Sequence, residues 1–517
     1  MGSVANKIKE LQEKQKKILA MGGPDKIEAQ HKAGKLSARE RLNLLFDNGF
    51  YDELYSMVEH ECTKFGLADK EFPADGVVTA IGAIDGRPVC VASQDFTVMG
   101  GSVGWKHAWK ISEIAQQAFK NGMPLITIND SGGARIQEGV DSLRGYGTIF
   151  YNNTLLSGVV PQIAIISGPC AGGAAYSPAL MDFIIMVKGT GKMFITGPDV
   201  IKEVTGKVID VEELGGAMAH AVKSGNIHFV ANDDNEAIEI CKKLLSYIPN
   251  NNTEDPPYEP QEEIELVEDE YLNSLLPDDP QMPYDIHSLL ERVFDKDSLF
   301  EIQKEFAPNI VISFARLNGR PVGIVANQPS YLAGCLDIDS SDKAARFIRF
   351  CNAFNIPIIT FTDTPGFMPG IEQEYGGIIR HGAKMLFAYS AATVPKITVI
   401  LRKAYGGAYL AMCAKSLGAD RVAAWPTAEI AVMGAEGAVS VLYKKEIQKA
   451  ENPEQKRKEL IEQYRAEFAT PYQAAKKGMV DAVIEPKYTR NYISIALEAC
   501  TTKRELRPQK KHGLIPL

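Results

Sequence analysis

Two short segments, far apart in this chain, carry the same arrangement of groups. Pro124-Leu-Ile-Thr-Ile-Asn-Asp130-Ser131-Gly132-Gly133-Ala134 and Pro357-Ile-Ile-Thr-Phe-Thr-Asp363-Thr364-Pro365-Gly366-Phe367 are each an apolar strand running into a glycine turn. A second pair follows in the same order: Pro161-Gln-Ile-Ala-Ile-Ile before Ala171-Gly172-Gly173-Ala174, and Pro395-Lys-Ile-Thr-Val-Ile before Tyr405-Gly406-Gly407-Ala408. Such turns present backbone N–H groups, donors whose proton is independent of pH, and the missing Cβ lets a reacting oxygen approach them. Two such donors from neighbouring turns form an oxyanion hole, the more so when one opens a helix whose dipole favours negative charge. Both Gly172-Gly173-Ala174-Ala175-Tyr176-Ser177-Pro178 and Gly406-Gly407-Ala408-Tyr409-Leu410-Ala411-Met412 read as a turn entering a helix. The candidate holes are therefore Gly133/Ala134 with Gly172/Gly173, and Gly366/Phe367 with Gly407/Ala408, each able to hold one enolate oxygen. The plainer alternative is that these glycines only permit tight turns and close helix-on-strand packing. Four turns in repeated register favour the chemical reading.

The elements that position these turns are themselves duplicated. Asp130 and Asp363 are 233 residues apart, as are Gly86-Arg87-Pro88-Val89 and Gly319-Arg320-Pro321-Val322, and Gly172 and Gly406 are 234 apart. Anchors held in register over such a stretch indicate an internal duplication. In each half, Val/Ile-rich strands alternate with helical patterns such as 105–119 and 341–354, the signature of an α/β fold with buried strands. Strand ends are where such folds place ligands. The halves differ late: Gly434 matches Gly197 at an offset of 237, but Gly478 matches Gly216 at 262, so the second half carries an insertion, the charge-laced helical stretch 444–465. Residues 4–46 read as a charged helical arm. Breaker- and acid-rich runs at 249–257 and 276–283 read as a linker, which gives a first domain over 1–260, an acidic, proline-rich linker over 261–285 and a second domain over 286–517.

Composition narrows the classes. A chain of 517 residues exceeds what one core usually supports. A net charge of −9 argues against nucleic acid or an anionic membrane as partner. The eight cysteines stand singly, without C-x-x-C or metal-finger spacing, as expected of reduced thiols in a cytoplasmic protein. The charged start is not a signal peptide, and no apolar run approaches the ~20 residues that span a bilayer, so any membrane connection would come through a partner.

Longer motifs carry a family resemblance. Asp75-Gly-Val-Val-Thr, Gln94-Asp-Phe-Thr-Val-Met-Gly-Gly101-Ser, Asp130-Ser-Gly-Gly-Ala-Arg-Ile-Gln-Glu-Gly139, Gly168-Pro-Cys-Ala-Gly-Gly173-Ala and Met193-Phe-Ile-Thr-Gly-Pro198 resemble the N-terminal domain of biotin-dependent acyl-CoA carboxyltransferases. Asp363-Thr-Pro-Gly-Phe-Met-Pro-Gly370, Tyr375-Gly-Gly-Ile-Ile-Arg-His-Gly-Ala-Lys384, Arg402-Lys-Ala-Tyr-Gly-Gly-Ala408 and Ile430-Ala-Val-Met-Gly-Ala-Glu-Gly437 resemble the C-terminal one. The resemblance implies two crotonase-like (ClpP/crotonase) domains, with the N-terminal hole holding an acyl-CoA enolate and the C-terminal hole a biotin enolate after carboxybiotin loses CO2. It also implies a hexamer in which each active site joins the N-terminal domain of one protomer to the C-terminal domain of another. Biotin would arrive on a carrier protein, because neither Ala217-Met218-Ala219-His220 nor Ala411-Met412-Cys413-Ala414-Lys415 matches the biotinyl-lysine motif of the carriers.

Other chemistries lack their residues. No G-x-x-x-x-G-K-[ST] is present, so ATP use is not expected. No two histidines stand four apart; only His287 has a carboxylate, Glu291, at that spacing, which reads as a helix-surface contact, and no metal site is expected. Arg135, Tyr176 and Leu410 are the candidate substrate-binding residues, with Arg135, Lys35, Arg39 and Arg41 as candidates for the CoA phosphates; helix salt bridging is the alternative for the last three. Leu410 stands where propionyl-CoA carboxylases of the family tend to carry aspartate, and the transcarboxylases and decarboxylases that use methylmalonyl-CoA resemble this chain more closely there, which turns the expectation toward propionyl-CoA/methylmalonyl-CoA as the acyl pair and makes the ATP-dependent carboxylase the alternative. Transfer to pyruvate beside a pyruvate carboxyltransferase, a sodium-pumping decarboxylation through a membrane decarboxylase, and ATP-driven carboxylation with a separate biotin carboxylase all share this half-reaction. A noncatalytic assembly core would tolerate bulk at 173 and 407, and a crotonase-type hydratase or protease would add an acidic pair or a Ser/His/Asp set.

Overall fold

The computed structural model describes residues 3–261 and 266–517. The chain divides between Glu254 and Asp255 into two compact units, and the duplication seen in the sequence is a duplication of topology. The first unit contains β1 (Tyr51–Leu54), β2 (Val77–Ile84), β3 (Arg87–Gln94), β4 (Leu125–Ser131), β5 (Gln162–Ala171), β6 (Phe183–Val187), β7 (Lys192–Phe194) and β8 (Phe229–Ala231). They form one sheet in the order β1-β2-β3-β4-β5-β6-β8, with β7 pairing onto the far end of β5. The pairs β1–β2 and β2–β3 are antiparallel and the rest parallel.

The second unit repeats this with β9 (Phe300–Ile302), β10 (Ile310–Leu317), β11 (Arg320–Asn327), β12 (Ile358–Thr364), β13 (Lys396–Tyr405), β14 (Arg421–Ala424), β15 (Glu429–Ala431) and β16 (Ala482–Val483). The order β9-β10-β11-β12-β13-β14-β16, with β15 on β13, is the same. The continuous apolar strands β4, β5, β12 and β13 are buried almost throughout, as parallel strands covered on both faces must be. The helical stretches read at 105–119 and 341–354 are helices Trp105–Asn121 and Ile338–Ala353. Their apolar stripes face the two cores. Each carries a buried lysine at the duplicated position. Lys110 donates to the carbonyls of Ala74 and Val77, and Lys343 to those of Phe306, Ala307 and Ile310; burial pushes both ammonium groups down to about 7.

The N-terminal arm is three helices, Val4–Ala20, Pro24–Lys32 and Ala38–Leu45. The first buries nothing, whereas the third is fixed by a Ser37/Glu40 capping box and buries Leu42 and Leu45. The insertion in the second half is the helix pair Lys444–Lys449 and Pro453–Phe468, anchored by Arg465 to Glu429 and Glu436.

Two expectations are corrected. The boundary falls at 254/255 rather than 260, and residues 266–285 are part of the second unit: Leu272 and Tyr284 join its core, and Asp269 pairs with Arg292. Residues 262–265 of the expected linker lie outside the described residues. His287 pairs with Asp285 at 2.7 Å and, across the sheet edge, with Glu301 at 2.9 Å, rather than with Glu291. Among the described residues no helix is long and apolar enough to cross a membrane, and all eight cysteines are free thiols.

Candidate active site

The first glycine turn leaves β4 at Ser131. Gly133 adopts φ +97°, a region that favours glycine, and its N–H donates to Ser131 Oγ at 3.1 Å. The Gly133 carbonyl accepts the N–H of Val103 at 2.8 Å, and Arg135 N–H donates to the Val103 carbonyl at 2.9 Å. This two-bond bridge holds Ala134 with its own N–H turned away, and that N–H has no acceptor among the described residues. The second turn leaves β5 at Ala171. Gly172, at φ +61°, donates its N–H to the Phe194 carbonyl at 2.9 Å, and helix Gly173–Leu180 begins at the next residue. First-turn N–H groups of a helix have no partner within it, so the Gly173 N–H is open. The two turns adjoin: a Cβ on Gly133 would stand 3.2 Å from the Ala171 carbonyl oxygen.

The second unit repeats the construction. Leu336 N–H donates to the Gly366 carbonyl at 3.1 Å and Met368 N–H to the Leu336 carbonyl at 2.7 Å, which bridges Leu336 to Phe367 as Val103 is bridged to Ala134. Helix Gly406–Ala411 opens the other turn, and the Phe367 ring lies 3.7 Å from where a Cβ on Gly407 would be. Four residues thus stand as open donors, Ala134 with Gly173 and Phe367 with Gly407. Of the other turn residues expected, Gly133 and Gly172 have their N–H groups engaged internally, and Gly366 donates weakly to Thr364 Oγ1 at 3.4 Å. The 234-residue register makes Gly407, and not Ala408, the counterpart of Gly173.

Just before the first glycine turn of each unit stands a buried carboxylate. Both strand pairs shift register just before the turns, between Asn129 and Ser131 and between Thr362 and Thr364. Asp130 and Asp363 occupy those shifts, each with its N–H donating at 3.1 Å to a side-chain amide of the preceding strand, Gln94 or Asn327. Asp363 accepts from Arg402 Nε, Lys403 N–H and Tyr284 Oη, all at 3.0 Å. Burial pushes its carboxyl up, against the pull of Arg402. Asp130 accepts from Lys35 Nζ at 2.9 Å and from Arg41 at 3.1 Å. Arg41 is itself shared with Asp234 at 3.0 Å; burial alone would lower its pKa, and the two aspartates outweigh burial and raise it.

The substrate-binding expectations divide. Tyr176 and Leu410 are equivalent in the duplicated register, one helical turn past the open donors, and are 51% and 38% exposed. Arg135 is corrected: it is buried and bonded to Asp75 and Glu138, so no phosphate reaches it. Lys35, Arg39 and Arg41 follow the salt-bridge alternative, with distant partners rather than neighbours along a helix: they pair with Asp130, Glu53 and Asp130/Asp234. Sequence reasoning gave no role to Asp130, Asp363 or Arg402. The signal was present in the two aspartates, each standing just before a glycine turn at the duplicated offset.

Residues 29–515 match the model of the carboxyl transferase domain. The chain belongs to the carboxyl transferase family. It is 56% identical over 517 residues, covering 100% of both chains, to the methylmalonyl-CoA decarboxylase subunit alpha of Veillonella parvula. It is 55% identical over 516 residues, again 100% of both, to the propionyl-CoA carboxylase carboxyltransferase subunit of Haloferax mediterranei. Among solved structures, the transcarboxylase 12S hexamer with methylmalonyl-coenzyme A and methylmalonic acid bound is 56% identical with a TM-score of 0.98, covering 100% of this chain and 99% of that one. The fold of this family member is the duplicated crotonase-like carboxyltransferase fold.

Proposed function

We propose that the protein moves a carboxyl group between biotin on a separate carrier protein and an acyl-CoA, with propionyl-CoA/methylmalonyl-CoA as the acyl pair. The observation that carries this reading is the pair of open N–H donors in each unit. Ala134 and Gly173 hold the thioester oxygen as negative charge develops on it; each such donor typically lowers the barrier by on the order of 3 kcal/mol. Phe367 and Gly407 would hold the ureido oxygen of biotin, which fits because Gly366 and Gly370 have nothing within 4 Å of a Cβ position and leave room for a planar group. Biotin supplies the carboxyl group and the nitrogen that takes the α-proton. No side-chain acid or base is required, consistent with the carboxylates before the turns being held in ion pairs and hydrogen bonds.

The acyl pair rests on the relatives named for methylmalonyl-CoA and propionyl-CoA and on Leu410. The assembly we propose is a homo-hexamer, as in the 12S structure, serving a biotin carrier and one further enzyme: a pyruvate carboxyltransferase, a membrane decarboxylase or a biotin carboxylase. A cytoplasmic location is supported by the eight free thiols. The test is carboxyl transfer from methylmalonyl-CoA to free biotin without ATP, beside malonyl-CoA and glutaconyl-CoA. Turnover fastest with methylmalonyl-CoA supports the reading, and silence with all three opposes it.

A further inference from the structure

The two holes are built alike, but the carboxylates before their turns are held differently. In the second unit most of the support is local, with Tyr284 Oη adding one hydrogen bond from outside the strand pair. Arg402 and Lys403, inside the register shift of β13, bind Asp363 through a guanidinium and a backbone N–H, tying β12 to β13 immediately before Phe367 and Gly407. The equivalent residues of the first unit, 234 positions earlier, are Gly168 and Pro169. Gly168 has no side chain, and a Cβ there would collide with the Asp130 carboxylate. Pro169 has no N–H to give. The first unit therefore lacks both groups that tie the two strands of the second at this point.

What replaces them comes from the N-terminal arm. Lys35 lies in the connection between helices Pro24–Lys32 and Ala38–Leu45, and Arg41 lies in the second of these; both donate to Asp130. The arm is seated there from the other side by Asp234, which accepts Arg41 Nε at 3.0 Å and Leu36 N–H at 2.9 Å. Two cations face two aspartates, all essentially buried, so charge balances only with the arm in place. Asp130 precedes the open donor Ala134 by four residues and packs against Gly168, which precedes Gly173 by five. The carboxylate thus lies between the two strands that lead to the donors.

We infer that Lys35 and Arg41 are positioning residues for the acyl-side hole, acting through Asp130 as Arg402 and the Lys403 backbone act through Asp363. This deepens, and rests on, the reading of Ala134/Gly173 as the hole for the acyl enolate. Lys35 has a second connection: its ammonium stands 4.3 Å from the centre of the Phe96 ring and lines a cavity of about 730 Å³ between the arm and residues 96–100. The arm thus meets both the hole's support and the adjoining cavity.

The test compares two ligands of the full-length protein by calorimetry: propionyl-CoA, and 2-nitropropionyl-CoA, whose α-carbon ionises to an enolate-like anion. The ratio of their dissociation constants reads the hole rather than general CoA binding. Lys35→Met and Arg41→Lys are expected to lower the preference for the nitro analogue about tenfold or more while leaving propionyl-CoA binding within about threefold. Arg39→Met, which disturbs the arm at Glu53 without touching Asp130, is expected to keep the preference. Should Arg41→Lys fail to fold, Lys35→Met carries the test. A wild-type preference retained in Lys35→Met overturns the positioning inference alone, whereas a wild type without any preference overturns the hole and the inference with it.

Discussion

Gly168 of β5 lies against the carboxylate of Asp130 so closely that the first carbon of any side chain would overlap it. In the second unit the same position is Arg402, whose guanidinium reaches the corresponding Asp363. Both units hold a buried aspartate here and differ in its cation, residues on the arm in the first and a residue inside the sheet in the second.

Gly168→Ala is therefore expected to overpack the shift between β4 and β5 and to displace Asp130 from Lys35 and Arg41. Overpacking of this kind costs about 1–3 kcal/mol, a fall in the midpoint of thermal unfolding of roughly 3–8 °C. A melting curve superimposable on the wild type would show that the carboxylate has room the structure does not give it.

Leu410→Asp places a carboxylate one turn beyond the Gly407 donor, at the position Tyr176 holds in the first unit. A negative charge there opposes the charge gathering in the hole. We expect kcat for carboxyl transfer to fall several-fold, ~1 kcal/mol for a partly solvated pair of charges, less at high salt. A rise in kcat would mean that position 410 acts through shape and not through charge.

His287 is pushed up to about 9, chiefly by its hydrogen bond to Glu301, against burial and with help from Asp285. Its folded pKa lies above the unfolded value near 6.5, so its contribution is full below about pH 6.5 and is lost as pH rises through 9. The stability gap between wild type and His287→Gln is expected to be about 2 kcal/mol at pH 6, after allowing for partial exposure, and to close by pH 10. Urea unfolding at the two pH values measures it; a gap that does not change with pH would place the contribution in packing.

Much of this was legible in the sequence. The offsets of 233 and 234 between Asp130 and Asp363 and between Gly172 and Gly406 give the repeated topology, because strands and turns in fixed register must form the same sheet twice. The charged insertion and the helical arm were equally readable. Hydrogen-bond bookkeeping was not: nothing in Gly172-Gly173 says which N–H turns to Phe194 and which stays open. Arg135, Arg41 and Lys35 read as candidates for the CoA phosphates because their partners Asp75, Asp130 and Asp234 are distant in sequence and meet them only in the folded core. The segment 266–285 read as a linker from its prolines and acids, yet Leu272 and Tyr284 are enough to seat it on the second unit.

Helix Val4–Ala20 buries none of its residues, and its Lys17–Glu71 pair is exposed. Removal of residues 1–20 is expected to leave the unfolding midpoint within about 2 °C, since exposed pairs contribute little, and to leave carboxyl transfer intact because Lys35, Arg41 and Asp234 remain. Loss of folding on this truncation would show that the arm is seated through its first helix rather than through Asp130 and Asp234.

The central claim is that two backbone holes, one per unit, carry the chemistry. Its most direct test is transfer of labelled carboxyl from methylmalonyl-CoA to free biotin, without ATP, by the wild type, Gly173→Pro and Gly407→Pro. Proline is accepted in the first turn of a helix and removes the N–H; its ring also adds bulk, a Cβ at 173 standing 3.3 Å from the Tyr146 ring, so Gly173→Ala and Gly407→Ala, which add the carbon and keep the N–H, are the controls. The account predicts wild-type turnover and a loss of about 10²- to 10³-fold in kcat for each proline variant, with KM for methylmalonyl-CoA changed only a few-fold. Turnover at the wild-type rate in either folded proline variant would contradict it.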